Sequence, residues 1–263
     1  MEISRVNILG VGVSIINLQK ASAAVAAAVT QRRKGYICVT GVHGVMEAQD
    51  DPEFRHILNN ALLCTPDGMP MVWMGRLRGH SEMDRVYGPD LMLEVCEWSR
   101  TRSCRHFFYG GAPGVAELLR DKLAERFPGL QVAGFYTPPF RALNAAELMN
   151  LQEQIRSLQP DILWVGLSTP KQEKFMAMHL AQFDVALMIG VGAAFDFHCG
   201  RVKQAPRWIQ RSGLEWFFRL CSEPRRLAGR YVRNNPRFIW KVLGQLSGMT
   251  HYPLDLKERE KGV

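Results

Sequence analysis

The chain has 263 residues, 47% of them hydrophobic and 22% charged, which suffices for one sizeable core plus an appendage and excludes a disordered chain. Its net charge of +8 is concentrated: between Phe197 and Lys241 stand eleven Lys/Arg and two acids, Glu215 and Glu223, a net of +9. The longest apolar run, 185–195, is half of a bilayer span and holds two glycines, and the first residues show no signal-peptide pattern, so neither a crossing helix nor a leader is expected.

In chain order, apolar or β-branched runs at 6–9, 35–40, 62–65, 106–109, 131–136, 162–166 and 186–191 predict strands. Helical patterns cover 18–33, 52–60, 88–100, 114–126, 145–158 and 171–179, with Asn144 and Pro170 as start signals for the last two. Apolar strands alternating with helices of this length predict an α/β protein: a mainly parallel, Rossmann-like sheet with helices on both faces. Near Gly200 the pattern changes to helices, prolines and arginines. The expected organisation is therefore an α/β catalytic domain over 1–200 and a basic, amphipathic helical appendage over 201–263. A helix after Pro224 would place Arg226, Arg230 and Arg233 on one face. Leu214, Phe217, Phe218 and Cys221 form an apolar stripe on the helix before it. Arginines interleaved with aromatics suit an anionic partner with an apolar side. The six cysteines show neither a CxxC pair nor metal-ligand spacing, and most read as small buried hydrophobes.

Ligands of open α/β sheets collect where strands end and helices begin, and several segments place unusual residues there. Gly110 and Gly111, in YGGAPG, allow backbone amides to approach a phosphate, although a tight strand-to-helix turn explains them equally well. Gly166 leads through Ser168 and Thr169 to Lys171 and Gln172 in the first turn of a helix, a polar set suited to a sugar nucleotide. Gly192 and Asp196 end another apolar strand, without forming a dinucleotide fingerprint. Asp67 follows a strand in the proline-stiffened TPDGMP, where a partly desolvated carboxylate is a candidate general base. As a bare motif PDG is also a common turn. In DRVYGPD, Arg85 offers an anion contact and Asp90 a helix cap. Thr40 and His43 bracket a glycine-rich loop after the second strand, where a structural histidine is the commoner case. There is no DxD, Walker A, HExxH or GxSxG motif. Any departing diphosphate would then rely on cationic side chains and helix N-termini.

Five ordered stretches resemble the WecG/TagA/CpsF glycosyltransferases (glycosyltransferase family 26): TPDGMPMVW, RVYGPDL, FFYGGAPGVAE, PDILWVGLSTPKQEKF and IGVGAAFDFHCGRVKQAPRWIQRSGLEWFFRLCSEPRRL. The resemblance implies an inverting enzyme that needs no metal or cofactor, cytoplasmic and peripheral to the inner leaflet of the membrane. It would move a sugar (N-acetylmannosamine, its uronic acid, glucose or glucuronic acid) from a UDP-sugar to a saccharide on polyprenyl diphosphate, for a cell-surface polysaccharide. By motif, Asp67 would be the base, Thr40 and Gln172 would line the donor site, and Asp196 would contact the sugar or nucleotide. Arg219, Arg225, Arg226 and Arg230 would approach the lipid diphosphate and the membrane. Many relatives carry TxN where this chain has Thr40-Gly41-Val42, and His43 is the candidate substitute for that Asn. The resemblance leaves open whether the chain forms a homo-oligomer. Two other readings compete: a nucleic-acid-binding α/β protein, from pI ≈ 9.4 and the arginine-aromatic tail, and a nicotinamide oxidoreductase. The confinement of charge to the tail argues against the first, and the missing GxGxxG against the second.

Overall fold

The computed structural model describes residues 3–255. A hairpin, β1 (Arg5–Ile8) and β2 (Val11–Ser14), pairs antiparallel with Ile8 opposite Val11. The main sheet contains β3 (Gly35–Thr40), β4 (Leu63–Pro66), β5 (Arg105–Gly110), β6 (Gln131–Tyr136), β7 (Ile162–Gly166) and β8 (Leu187–Gly190). Its order is β4-β3-β8-β7-β5-β6. The pairs β3–β8, β8–β7, β7–β5 and β5–β6 are parallel. The protein is thus the expected α/β type with a mostly parallel sheet, surrounded by helices and ending in a long C-terminal helix. Three strands (35–40, 131–136, 162–166) and three helices (52–60, 145–158, 171–179) occupy the residues their patterns predict.

By contact density the described chain forms two compact units, each discontinuous in sequence. The first comprises 3–17, 40–86 and 205–255, so the basic C-terminal segment groups with the hairpin and the 40–86 region. It contains the hairpin, β4, α2 (Val42–Asp50), α3 (Pro52–Asn60), α4 (Met69–Leu77), α10 (Arg207–Arg211), α11 (Glu215–Ser222) and α12 (Pro224–Leu246). The hairpin was absent from the sequence reading because its two-residue turn is Leu9-Gly10, not the usual Asn-Gly or Asp-Gly. Both turn residues have positive φ, 52° and 81°. Left-handed Leu9 is held by its surroundings: its N–H donates to Gln245 Oε1 (3.1 Å) and its carbonyl accepts from Gln49 Nε2 (2.7 Å). Arg5 caps the end of α3, donating to the carbonyl of Asn59 at 3.0 Å. Helix α12 packs on α2 through one face, with Leu227, Asn234, Phe238 and Val242 buried. Asp50 on α2 accepts two bonds from Arg237 (2.9 and 2.7 Å) and one from Arg233 (3.2 Å). The hydrogen bonds and charge of Arg237, with Arg233 and Lys241, hold the Asp50 carboxyl below the usual range.

The second unit comprises 18–39 and 87–204. It carries β5 to β8, β3 up to Val39, and the helices α1 (Leu18–Thr30), α5 (Gly88–Ser99), α6 (Val115–Arg126), α7 (Ala145–Leu158), α8 (Lys171–His179) and α9 (Ala194–His198). Its core is built from the strands' apolar runs, with Phe107, Phe108, Trp164 and Phe195 fully enclosed. Asn144 begins α7 with a complete capping box: it accepts from Glu147 N, and Glu147 accepts from Asn144 N. Buried His106 accepts from Trp164 Nε1 at 2.9 Å and meets Ser99 Oγ at 2.9 Å. Burial pushes its pKa down to about 3. Asp90, expected as a helix cap, lies in the first turn of α5 instead, where its charge suits the helix dipole; the N-cap position is Tyr87, with no side-chain cap bond. Of the cysteines, Cys38, Cys64, Cys96 and Cys104 are buried, Cys199 is half-buried and Cys221 is exposed; all are free thiols.

Candidate active site

The candidate residues fall into two sets, one in each unit. In the first unit the end of β3 and the end of β4 meet: Asp67 N donates to the Thr40 carbonyl at 2.9 Å, fixing the carboxylate-bearing residue just beyond Pro66. Gly41 makes this junction possible, since a Cβ there would lie 2.7 Å from the Asp67 carbonyl oxygen. Asp67 keeps its side chain 34% exposed, so it is both held and reachable. Thr40 is buried, and its Oγ1 has no hydrogen-bond partner among the described residues. A buried hydroxyl without a partner costs stability, which makes it a candidate for a ligand contact.

Arg85 sits in the chain leading to α5, where Val86 N bonds the Pro66 carbonyl at 2.9 Å. Its guanidinium Nη2 lies 3.8 Å from Asp67 Oδ1 and directly against Glu215 Oε2, while Nη1 donates to Gln210 Oε1 at 3.1 Å. His43 was expected in a loop, but α2 begins at Val42 and puts it in the first helical turn. There its Nδ1 meets Asn234 Nδ2 at 3.0 Å and lies 3.5 Å from Glu47 Oε1.

The arginines expected on one face have different neighbours. Arg226 pairs with Glu223 at 2.5 Å, Arg233 with Asp50 at 3.2 Å, and Arg225 is exposed. Arg230 is half-buried: burial lowers its pKa, and the charges of Arg219 and Arg226 add to that fall. Burial raises the Tyr231 phenol, opposed by Arg219 and Arg230 and reinforced by Glu215 and Asp67. Arg219, Arg230, Glu215 and Asp67 are therefore all close enough to Tyr231 to act on it electrostatically. Arg85 lies beside the Asp67 carboxylate, and Arg219 and Arg230 share the neighbourhood of Tyr231 with it, an arrangement suited to a polyanion.

In the second unit, Gly110 and Gly166 are opposite one another on β5 and β7. A Cβ on Gly110 would fall 2.5 Å from the Gly166 carbonyl oxygen, and Gly111 N donates to that oxygen at 3.1 Å. Close backbone approach accounts for Gly110. Gln172 is buried and spends its amide on two neighbours: Oε1 accepts from Gly192 N at 3.0 Å, and Nε2 donates to Glu173 Oε1 at 2.9 Å. Thr169 Oγ1 donates to the same carboxyl oxygen at 2.9 Å. Burial raises the Glu173 pKa, while the bonds from Gln172 and Thr169 oppose it. Lys171 is exposed, and Asp196 is half-exposed on α9 with its carbonyl accepting from Arg201 and Val202. Gln172 and Gly192 thus form a single bonded unit at the strand ends.

Sequence reasoning missed Glu215, Gln210, Asn234, Tyr231 and Glu173. Glu215 left a signal, as one of two acids among eleven cations. The others lay on helices whose inward faces the pattern alone did not orient. A separate cleft of about 550 Å³ opens at the end of α12, lined by Arg237, Trp240, Lys241, Leu243, Met249 and Tyr252 among others. It contains none of the candidate residues.

A mostly parallel α/β sheet with polar, glycine-bearing loops at its strand ends is an architecture in which ligands collect at the strand C-termini. The chain belongs to the glycosyl transferase WecG/TagA/CpsF family, whose profile matches residues 6–251, and it is a glycosyltransferase. It is 29% identical over 233 residues to an N-acetylglucosaminyldiphosphoundecaprenol N-acetyl-beta-D-mannosaminyltransferase of Bacillus spizizenii, covering 88% of each chain. It is 30% identical over 214 residues to the protein of the same name in Bacillus subtilis strain 168, covering 81% of each.

Proposed function

We propose that the chain transfers an N-acetylmannosamine-type sugar from a UDP-sugar to a saccharide carried on polyprenyl diphosphate, with inversion and without a metal. The carrying observation is Asp67: a half-exposed carboxylate anchored by its own N–H to Thr40 and flanked by Arg85. The relatives' names support the sugar, the lipid-diphosphate acceptor and a β linkage.

In the proposed step the acceptor hydroxyl oxygen attacks the anomeric carbon in line with the leaving group. The bond from that carbon to the diphosphate oxygen breaks, its electron pair leaves with UDP, and the hydroxyl proton passes to Asp67. A single base suffices for one inverting displacement. Thr40 Oγ1 and His43 are proposed as substrate contacts. The loops carrying Gly110, Gly111, Gly166, Lys171, Gln172, Gly192 and Asp196 are proposed to receive the donor, with Gln172 acting through Gly192. Arg85, Arg219, Arg225, Arg226 and Arg230 would meet diphosphate charge.

Membrane association is proposed for α12. Val232, Ile239, Trp240, Leu243 and Leu246 are exposed and recur with helical spacing on one face, and Arg233, Arg237 and Lys241 lie beside it. Among the described residues no helix is long and apolar enough to cross a bilayer. A UDP-release assay with a panel of UDP-sugars and polyprenyl-diphosphate saccharides, with and without EDTA, tests the reading. Release that needs one donor, the acceptor and Asp67, and survives EDTA, supports it. Release abolished by EDTA and restored by magnesium removes metal independence, and no UDP binding at all removes the reading.

A further inference from the structure

The proposed base shares its arginine with a second carboxylate. Arg85 is only 10% exposed at its side chain and Glu215 15%. Glu215 Oε2 contacts Arg85 Nη2 directly, and Gln210 Oε1 takes Nη1 at 3.1 Å, so both ends of the guanidinium fork are engaged from the C-terminal segment. Asp67 Oδ1, at 3.8 Å from the same Nη2, is beyond hydrogen-bond reach. It therefore lies within the field of Arg85.

We infer that Glu215 is a positioning residue for proton transfer: by holding the Arg85 guanidinium it keeps Asp67 basic. The inference rests on the reading of Asp67 as the base. An opposite charge within about 4–6 Å favours the ionised carboxylate by about 1–3 pKa units, and less so when a second carboxylate balances that charge. A carboxylate stabilised in that way takes a proton less readily from an acceptor hydroxyl. Without the Glu215 charge, the positive charge of Arg85 acts more strongly on Asp67, 3.8 Å away. Gln210 is neutral and does not offset the lost charge.

Asp67 and Glu215 also act together on the Tyr231 phenol, and further charged groups of that neighbourhood come from three elements. They are His43 and Glu47 on α2, Arg219 on α11, and Arg230 with the Tyr231 phenol on α12. The cations among them have the same sign as Arg85, whereas Glu215 is an acid in direct contact with it. Glu215 stands in the first turn of α11 and Gln210 in α10. The C-terminal segment thus reaches the base through one guanidinium, in addition to any part it plays at the lipid.

The test is a carboxyl titration of Asp67 in full-length protein, by carbon-13 NMR with selective aspartate labelling and assignment by loss of the signal in Asp67→Asn. Expected in Glu215→Gln is a fall in the Asp67 pKa by about one unit, with Glu215→Asp close to wild type. Gln210→Glu, which adds a second carboxylate to the same fork, should move it upward. An unchanged Asp67 titration in Glu215→Gln overturns the inference and assigns the pair to structure alone. Should Glu215→Gln fail to fold, Gln210→Glu decides: no upward shift overturns it. Turnover by each variant separates the two levels. Retained turnover in Asp67→Asn removes the base reading even where the titrations shift. An inactive Asp67→Asn with unmoved titrations removes only the role of Glu215.

Discussion

Gly41→Ala places one methyl group against the backbone that carries the proposed base. The ideal Cβ lies 2.7 Å from the Asp67 carbonyl oxygen, and ordinary contact begins near 3.4 Å, so the two strand ends must separate by about 0.7 Å. The obstacle is a carbonyl and cannot rotate aside as a side chain can. The backbone of Gly41 itself is unstrained for alanine, at φ −112° and ψ −165°, so the whole effect comes from the collision. Overpacking of this kind costs about 1–3 kcal/mol, and a displacement approaching 1 Å at a reacting group costs on the order of 100-fold in rate. The expected result is a kcat/KM lowered by about 10- to 100-fold with folding retained. Gly229→Ala on α12 is the control: nothing lies within 4 Å of its Cβ, so the added methyl should stabilise the helix by roughly 0.5–1 kcal/mol and leave turnover alone. Thermal melts and UDP release on both variants check this. Wild-type turnover in Gly41→Ala would refute the claim that the Thr40–Asp67 junction sets the position of the base.

Asp67→Asn should abolish transfer and leave UDP binding, measured by calorimetry, nearly unchanged. His106, neutral in the fold with a pKa of about 3 against an ordinary 6.5, links stability to pH. The unfolded chain binds that proton first, so this contribution is complete above pH 6.5 and is lost as pH falls toward 3, at up to about 1.4 kcal/mol per pH unit. Urea unfolding between pH 7 and 5 should show the slope, and His106→Gln should reduce it; His198, also lowered by burial, adds a contribution of the same sign. Replacing Trp240 and Leu243 together by Ser, at positions 78% and 55% exposed, should weaken binding to anionic vesicles about 10-fold or more with melting unchanged. Equal vesicle binding would move the membrane contact elsewhere.

The sheet was legible because its strands are short apolar runs separated by periodic helices, a pattern that tertiary context does not disguise. The hairpin turn was not, because Leu9 adopts its conformation through bonds from Gln49 and Gln245, which come from α2 and α12. Helix α2 was hidden by Gly41 and Gly44, which made a helix start look like a loop. Asp67 could be singled out from its place after a strand, and the structure supplies its anchor at Thr40. What no local pattern carried was the partner of Arg85. Glu215 is 130 residues away in sequence, and only the folded chain shows which of many arginines it meets. Likewise, Gln172 looked like a ligand contact in the sequence, yet its amide is committed to Gly192 and Glu173.

The C-terminal segment reads in sequence as an appendage, and deletion from about Gly213 onward would on that reading leave an intact soluble fold. The contacts within the first unit argue otherwise. Leu227, Phe238 and Val242 are buried, Gln245 bonds the hairpin turn, and Arg237 bonds Asp50 on α2. Three buried apolar side chains at about 1.5–3 kcal/mol each amount to several kcal/mol, comparable to the net stability of a whole domain. Their removal also uncovers the face of α2 that presents His43. Such a truncate should therefore lose cooperative melting in the first unit and show rapid amide exchange over α2 and the hairpin, before any question of lipid arises. A truncate that melts like the full chain, with α2 still protected from exchange, would instead restore the segment to the status of a dispensable appendage. Its loss of activity would then trace to the missing arginines, to the lipid contact and to Glu215.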